Sequence, residues 1–97
     1  MATATKNKAH HGTLTASAVD TVTLSRPTGQ VKVINRLGTS EIFYTLDGTA
    51  PTVNGDCYVV VATAGAYDIR PNRINNQNAQ VVNLISAGAM TYSVENA

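Results

Sequence analysis

Glu41-Ile42-Phe43-Tyr44-Thr45-Leu46-Asp47-Gly48-Thr49-Ala50-Pro51-Thr52 carries two readings that together set the fold class. Its first half alternates: Ile42, Tyr44 and Leu46 fall on one face of an extended chain, and Phe43 and Thr45 on the other, which is the two-residue period of a strand. Its second half stops that strand. Asp47-Gly48 takes the positive φ of a tight turn, and Pro51 lacks the N–H that a continuing ladder needs. Asp47, Gly48 and Pro51 are therefore expected to be structural turn residues.

The same short period recurs on both sides of this stretch. Val22 and Leu24 alternate with hydroxyl residues over residues 21–25, and Val31 and Val33 flank Lys32 over residues 30–36, after the turn at Arg26-Pro27-Thr28-Gly29. Residues 57–62 form a Val-rich run expected to be buried on both faces. A short strand is expected at residues 66–70, stopped by Pro71, and two more at 81–86 and 90–95. The latter two are joined by Ala87-Gly88-Ala89, a spacing that suits a hairpin. With a first strand near residues 13–16, the pattern gives about seven to eight strands, no helical period, and an antiparallel two-sheet β-sandwich. Val33, Tyr44, Val60 and Leu84 are the expected core.

Residues 1–11 lack apolar periodicity and hold Lys6 and Lys8 with no acidic residue before Asp20. They read as a flexible, mildly basic arm preceding one domain at 12–97, and their removal is expected to leave the melting temperature almost unchanged. The stretch Asn72 to Gln80 is polar, with Ile74 its only large apolar residue, and reads as a contact loop.

Composition narrows the function. The chain has 97 residues, 43% apolar and 13% charged, with a formal charge of +1. One core is the natural expectation at this length. The charged share is about half the usual quarter, which suits a subunit that spends its life packed in an assembly. A charge of +1 is too small to hold a phosphate backbone, so nucleic acid is not an expected partner. No apolar run reaches the roughly 20 residues that span a bilayer, and none near the start has the character of a signal peptide. The single cysteine, Cys57, permits no internal disulfide and reads as a small apolar residue in its strand.

Catalytic constellations are thin. His10 and His11 are adjacent and point apart in an extended chain, with no thiol or carboxylate near them in sequence. The six acidic residues are scattered, and general acid and base chemistry needs two such groups in one cleft. The expectation is a protein that is not an enzyme and needs no cofactor or metal.

The segment Tyr44-Thr45-Leu46-Asp47-Gly48-Thr49-Ala50-Pro51-Thr52 resembles the tyrosine-threonine-x-aspartate-glycine-threonine-x-proline-threonine motif of chitobiase C-terminal-type immunoglobulin-like domains. The wider layout is similar to small virion proteins of tailed bacteriophages. It pairs the Val-Lys-Val-Ile-Asn-Arg strand with this motif, followed by a Val-rich strand and a C-terminal hairpin ending in Thr91-Tyr92-Ser93-Val94. The resemblance implies an immunoglobulin-like sandwich that decorates a capsid: made in the host cytoplasm, carried on the virion surface, bound to the major capsid protein lattice, and free to be a homo-oligomer. Lys6, Lys8, His10 and His11 of the arm and Asn72, Arg73, Asn75 and Asn76 of the loop are its candidate capsid contacts. A small tail or fibre-attachment protein and a carbohydrate-binding module are the alternatives.

Overall fold

The computed structural model describes residues 2–5, 7–25, 29–71 and 81–96. These form nine strands and no helix: β1 Ala2–Ala4, β2 Lys8–Leu14, β3 Asp20–Leu24, β4 Gln30–Asn35, β5 Ile42–Thr45, β6 Tyr58–Val60, β7 Ala66–Pro71, β8 Val81–Ser86 and β9 Met90–Asn96. One sheet has the order β1-β3-β8-β5-β6 and the other β2-β9-β4-β7. Every pairing is antiparallel except β1 with β3.

Burial follows the alternation. In β4, Val31, Val33 and Asn35 are buried while Lys32 and Ile34 are half-buried on the outer side. The four expected core residues, Val33, Tyr44, Val60 and Leu84, are each at most 1% exposed, packed between the sheets with Leu14, Tyr92 and Val94. A buried methylene gains about 0.8 kcal/mol, so these inward rows hold the sheets face to face without a disulfide.

Connectivity departs from the immunoglobulin-like expectation. Apart from β5 to β6, each strand and the next lie in opposite sheets. With β1 set aside, the orders β2-β9-β4-β7 and β3-β8-β5-β6 are those of an eight-stranded jelly roll, two Greek keys wound over one another. An immunoglobulin sandwich instead places strands ABED opposite CFG. The expected hairpin of residues 81–86 and 90–95 is corrected with it. β8 lies between β3 and β5, β9 lies between β2 and β4, and Ala87-Gly88-Ala89 carries the chain across the sandwich. Ser86 and Met90 are buried on either side of that crossing.

The flexible arm is also corrected. β1 pairs with β3 from Ala2↔Val22 to Ala4↔Leu24, and β2 pairs with β9 from Lys8↔Asn96 to Leu14↔Met90. Backbone pairing supplies here what large side chains do not. Ala4 is fully buried, and its carbonyl accepts from Ser25 N at 3.0 Å and from Asn96 Nδ2 at 2.9 Å. Gly12 has a packing reason: a Cβ there would lie 2.6 Å from the tip of the Tyr92 ring. The domain therefore takes in residues 2–5 and 7–11. A third correction concerns residues 57–62. β6 is a sheet edge, and of its run of valines only Val60 enters the core, beside the half-buried Tyr58, while Val59 and Val61 are 40% and 55% exposed.

Asn35 ties one end of the sandwich together. Its Nδ2 donates to Ser40 O at 2.9 Å and to Val61 O at 3.1 Å, and its Oδ1 accepts from Gly38 N at 2.8 Å. Its own carbonyl accepts from Gly65 N, so the β4–β5 and β6–β7 connections converge on one buried amide. Asn35→Ala strands two carbonyls and one N–H, and should cost about 3 kcal/mol in a urea unfolding experiment. A loss below about 1 kcal/mol would show that water takes over those bonds.

Candidate functional site

β5 and β6 stay paired only from Ile42↔Val60 to Tyr44↔Tyr58. Beyond that point the two arms splay, and the fork between them is a cleft of about 340 Å³ lined by residues 44–47 and 56–58. Two of these residues, Tyr44 and Tyr58, form an aromatic pair with ring centroids 5.3 Å apart. The Arg70 guanidinium lies 4.2 Å from the Tyr58 ring centroid, a cation–π contact, and its Nε donates to Asp68 Oδ2 at 3.0 Å. Tyr44 OH donates to the same oxygen at 2.7 Å, so β5 and β7 are bridged across the two sheets.

A second bridge of the same type closes the opposite side. Tyr92 OH, from β9, donates to Asp20 Oδ2 of β3 at 2.5 Å. Burial and then the neighbouring carboxylate push both phenols far above the ordinary tyrosine range.

The turn at the mouth of the fork is built from its own side chains. Asp47 Oδ1 accepts from Thr49 N at 3.1 Å and from Thr49 Oγ1 at 2.6 Å. The Thr49 hydroxyl, followed by its amide, holds the Asp47 carboxyl below the usual carboxylate range. Gly48 has φ +87°, with open space around the position of a Cβ, and Pro51 is buried. Gly48→Val therefore meets backbone strain and no clash. Its expected cost is about 1 to 2 kcal/mol in a thermal melt, and a variant melting with the parent would show that the turn relaxes.

The candidate contacts from the sequence fall in two places. Lys6, Asn72, Arg73, Asn75 and Asn76 lie outside the described residues. Lys8, His10 and His11 sit on β2 and do not converge on one group. Lys8 is exposed, and His10 is half-buried with its ring centroid 6.0 Å from that of Tyr92. His11 faces outward with Nδ1 2.6 Å from Ser93 Oγ. Among the described residues no three of His, Cys, Asp or Glu gather as metal ligands would.

The outer face of the four-stranded sheet is the feature that sequence reading missed. Its register aligns His11, Ser93, Ile34 and Tyr67 in one row and Ala9, Glu95, Lys32 and Ile69 in the next. Tyr67 is 58% and Ile69 43% exposed, and Lys32 Nζ lies 4.2 Å from the Tyr67 ring centroid. The alternation of Tyr67 and Ile69 along residues 66–70 was the available signal. No family model matches the chain, and no curated protein sequence matches it.

Proposed function

We propose that this chain is a structural subunit of a tailed-bacteriophage type virion, docking on the outer surface of the capsid lattice through the outer face of the β2-β9-β4-β7 sheet. The observation that carries the reading is the exposed pair Tyr67 and Ile69, continued inward by Ile34, on a face whose lysine and glutamate, Lys32 and Glu95, oppose each other in register. Aromatic and aliphatic groups with few charges are what the centre of a protein interface uses. Jelly-roll sandwiches serve capsids among other settings, which adds support by analogy of fold.

Size bears on the kind of partner. Four strands about 4.8 Å apart and six residues long at about 3.3 Å each offer roughly 400 Å², half of the roughly 800 Å² per partner in a stable one-to-one complex. One such contact is weak. A lattice, which offers many equivalent sites, suits a small face, particularly if copies are linked to one another.

The test is sedimentation with tailed-phage capsids stripped of their accessory proteins. Tyr67→Ala combined with Ile69→Ser should lower the pelleted fraction at least tenfold in apparent affinity, about 1.4 kcal/mol, and leave the melting temperature near that of the parent. Equal pelleting of parent and variant removes this face as the docking surface. Pelleting with isolated tails and not with capsids moves the assignment to a tail component.

A further inference from the structure

β2 is one edge of the sheet that carries the docking face. The direction of its backbone groups follows from the ladder on the far side of β9. Arg36 N donates to Thr91 O at 3.0 Å, which extends the β4–β9 register and makes Arg36 with Thr91, Ile34 with Ser93 and Lys32 with Glu95 the bonded pairs. Tyr92 and Val94 are left to bond to β2, through Gly12 and His10. Ala9, His11 and Thr13 therefore turn their N–H and C=O groups the other way, and none of these groups has a partner among the described residues. Natural edges are blunted by lysine, proline or a bulge. Residues 9–13 carry no lysine and no proline, whereas the opposite edge, β7, ends in Pro71, which has no N–H to give.

We propose that two copies of this chain pair β2 against β2 about a two-fold axis through His11, joining their β2-β9-β4-β7 sheets into one. The three outward-turned residues are self-complementary under that operation: Ala9 of one copy meets Thr13 of the other, His11 meets His11, and each pair exchanges both of its backbone hydrogen bonds. A two-fold axis that relates antiparallel neighbours in a sheet stands perpendicular to it, so both copies turn the same face to the same side. Tyr67 and Ile69 of the two copies then belong to one continuous surface. Its area is about twice the roughly 400 Å² of a single sheet, and so reaches the roughly 800 Å² per partner of a stable complex. That match is why a second copy, rather than an unrelated strand, is the occupant of this edge. The gain in docking rests on the capsid reading, whereas the pairing itself does not.

The experiment is sedimentation velocity of the full chain, without capsids, over a concentration series reaching millimolar. The parent should pass from monomer to dimer. Ala9→Lys combined with Thr13→Lys sets like charges directly opposite each other across the two-fold axis, and should weaken the dimer at least tenfold, about 1.4 kcal/mol. Both positions are exposed, so the melting temperature should stay near that of the parent. Mixing this variant with Ala9→Glu combined with Thr13→Glu should restore dimers, which a merely structural effect of the lysines would not do. Tyr67→Ala combined with Ile69→Ser should dimerise like the parent. The proposal is overturned by a parent that stays monomeric throughout, by a lysine variant that dimerises unchanged, or by no recovery on mixing. Loss of the dimer in Tyr67→Ala with Ile69→Ser also overturns it, and assigns self-association to the docking face. Every readout here is taken without capsids, so a failed dimer and a failed capsid docking are separate results.

Discussion

A chain lacking residues 1–11 should fail to reach the native fold, giving a disordered circular dichroism spectrum and no cooperative melt. The deletion removes all of β1 and the first four of the seven residues of β2, from Lys8 to His11. β9 loses its partner from Ser93 to Asn96, and β3 loses its neighbour from Val22 to Leu24. Three further bonds go with it: Ser25 N and Asn96 Nδ2 to Ala4 O, and Asn7 N to Asn96 O. Buried donors and acceptors without partners cost about 1 to 3 kcal/mol each, so the loss is on the order of 5 kcal/mol or more. That is comparable with the whole stability of a small domain. A truncated chain melting within a few degrees of the parent would show that β1 and the start of β2 are dispensable.

Alkaline pH should unfold the protein through Tyr44 and Tyr92. The folded state holds both phenol protons above the ordinary tyrosine pKa of about 10, because burial and the carboxylates of Asp68 and Asp20 oppose the phenolate. Below about pH 10 both states keep these protons, and the stabilisation from the two bridges is complete. Above it, the unfolded chain releases protons that the folded chain retains. Stability then falls by up to about 1.4 kcal/mol per pH unit for each tyrosine, or about 2.7 for the pair. Urea unfolding between about pH 8 and pH 12 measures this slope, and Tyr44→Phe or Tyr92→Phe should each remove about half of it. Slopes unchanged in both variants would assign alkaline unfolding to other groups.

Strand positions were largely legible in the sequence, since alternation states which side chains face inward. Residues 81–86 match β8, and residues 21–25 and 30–36 match β3 and β4 to within a residue at each end. Alternation is silent on which strand lies beside which. Val82, Leu84, Tyr92 and Val94 point inward equally well in a hairpin or in two opposed sheets, so the immunoglobulin-like order was not separable from the jelly-roll order by pattern alone. β2 was hidden because its inward positions are His10 and Gly12 before Leu14, a row with no aliphatic until its end. A glycine inside a strand does signal close approach by another group, and Gly12 under Tyr92 is such a case.

The fork was legible in part. Asp47-Gly48 announced the turn, but where β5 and β6 part company depends on pairing that no local signal states. The tyrosine bridges were out of reach for the same reason, because Tyr44 meets Asp68 across 24 positions and Tyr92 meets Asp20 across 72.

The winding of the chain also sets when it can fold. β8 and β9 are the last strands in sequence, yet β8 lies between β3 and β5, and β9 between β2 and β4. On the ribosome, the earlier strands emerge as two sets of edges with the middle strand of each set still unmade. Strands β1 to β7 then hold just three of the ladders described in the finished sandwich, β1 with β3, β4 with β7 and β5 with β6. Folding must wait for β8 and β9 and then proceed by closing loops that span most of the domain, a slow route at this length. During that interval the nascent chain exposes unpaired apolar strands, so its yield in a cell depends on how well it is shielded until the last two arrive.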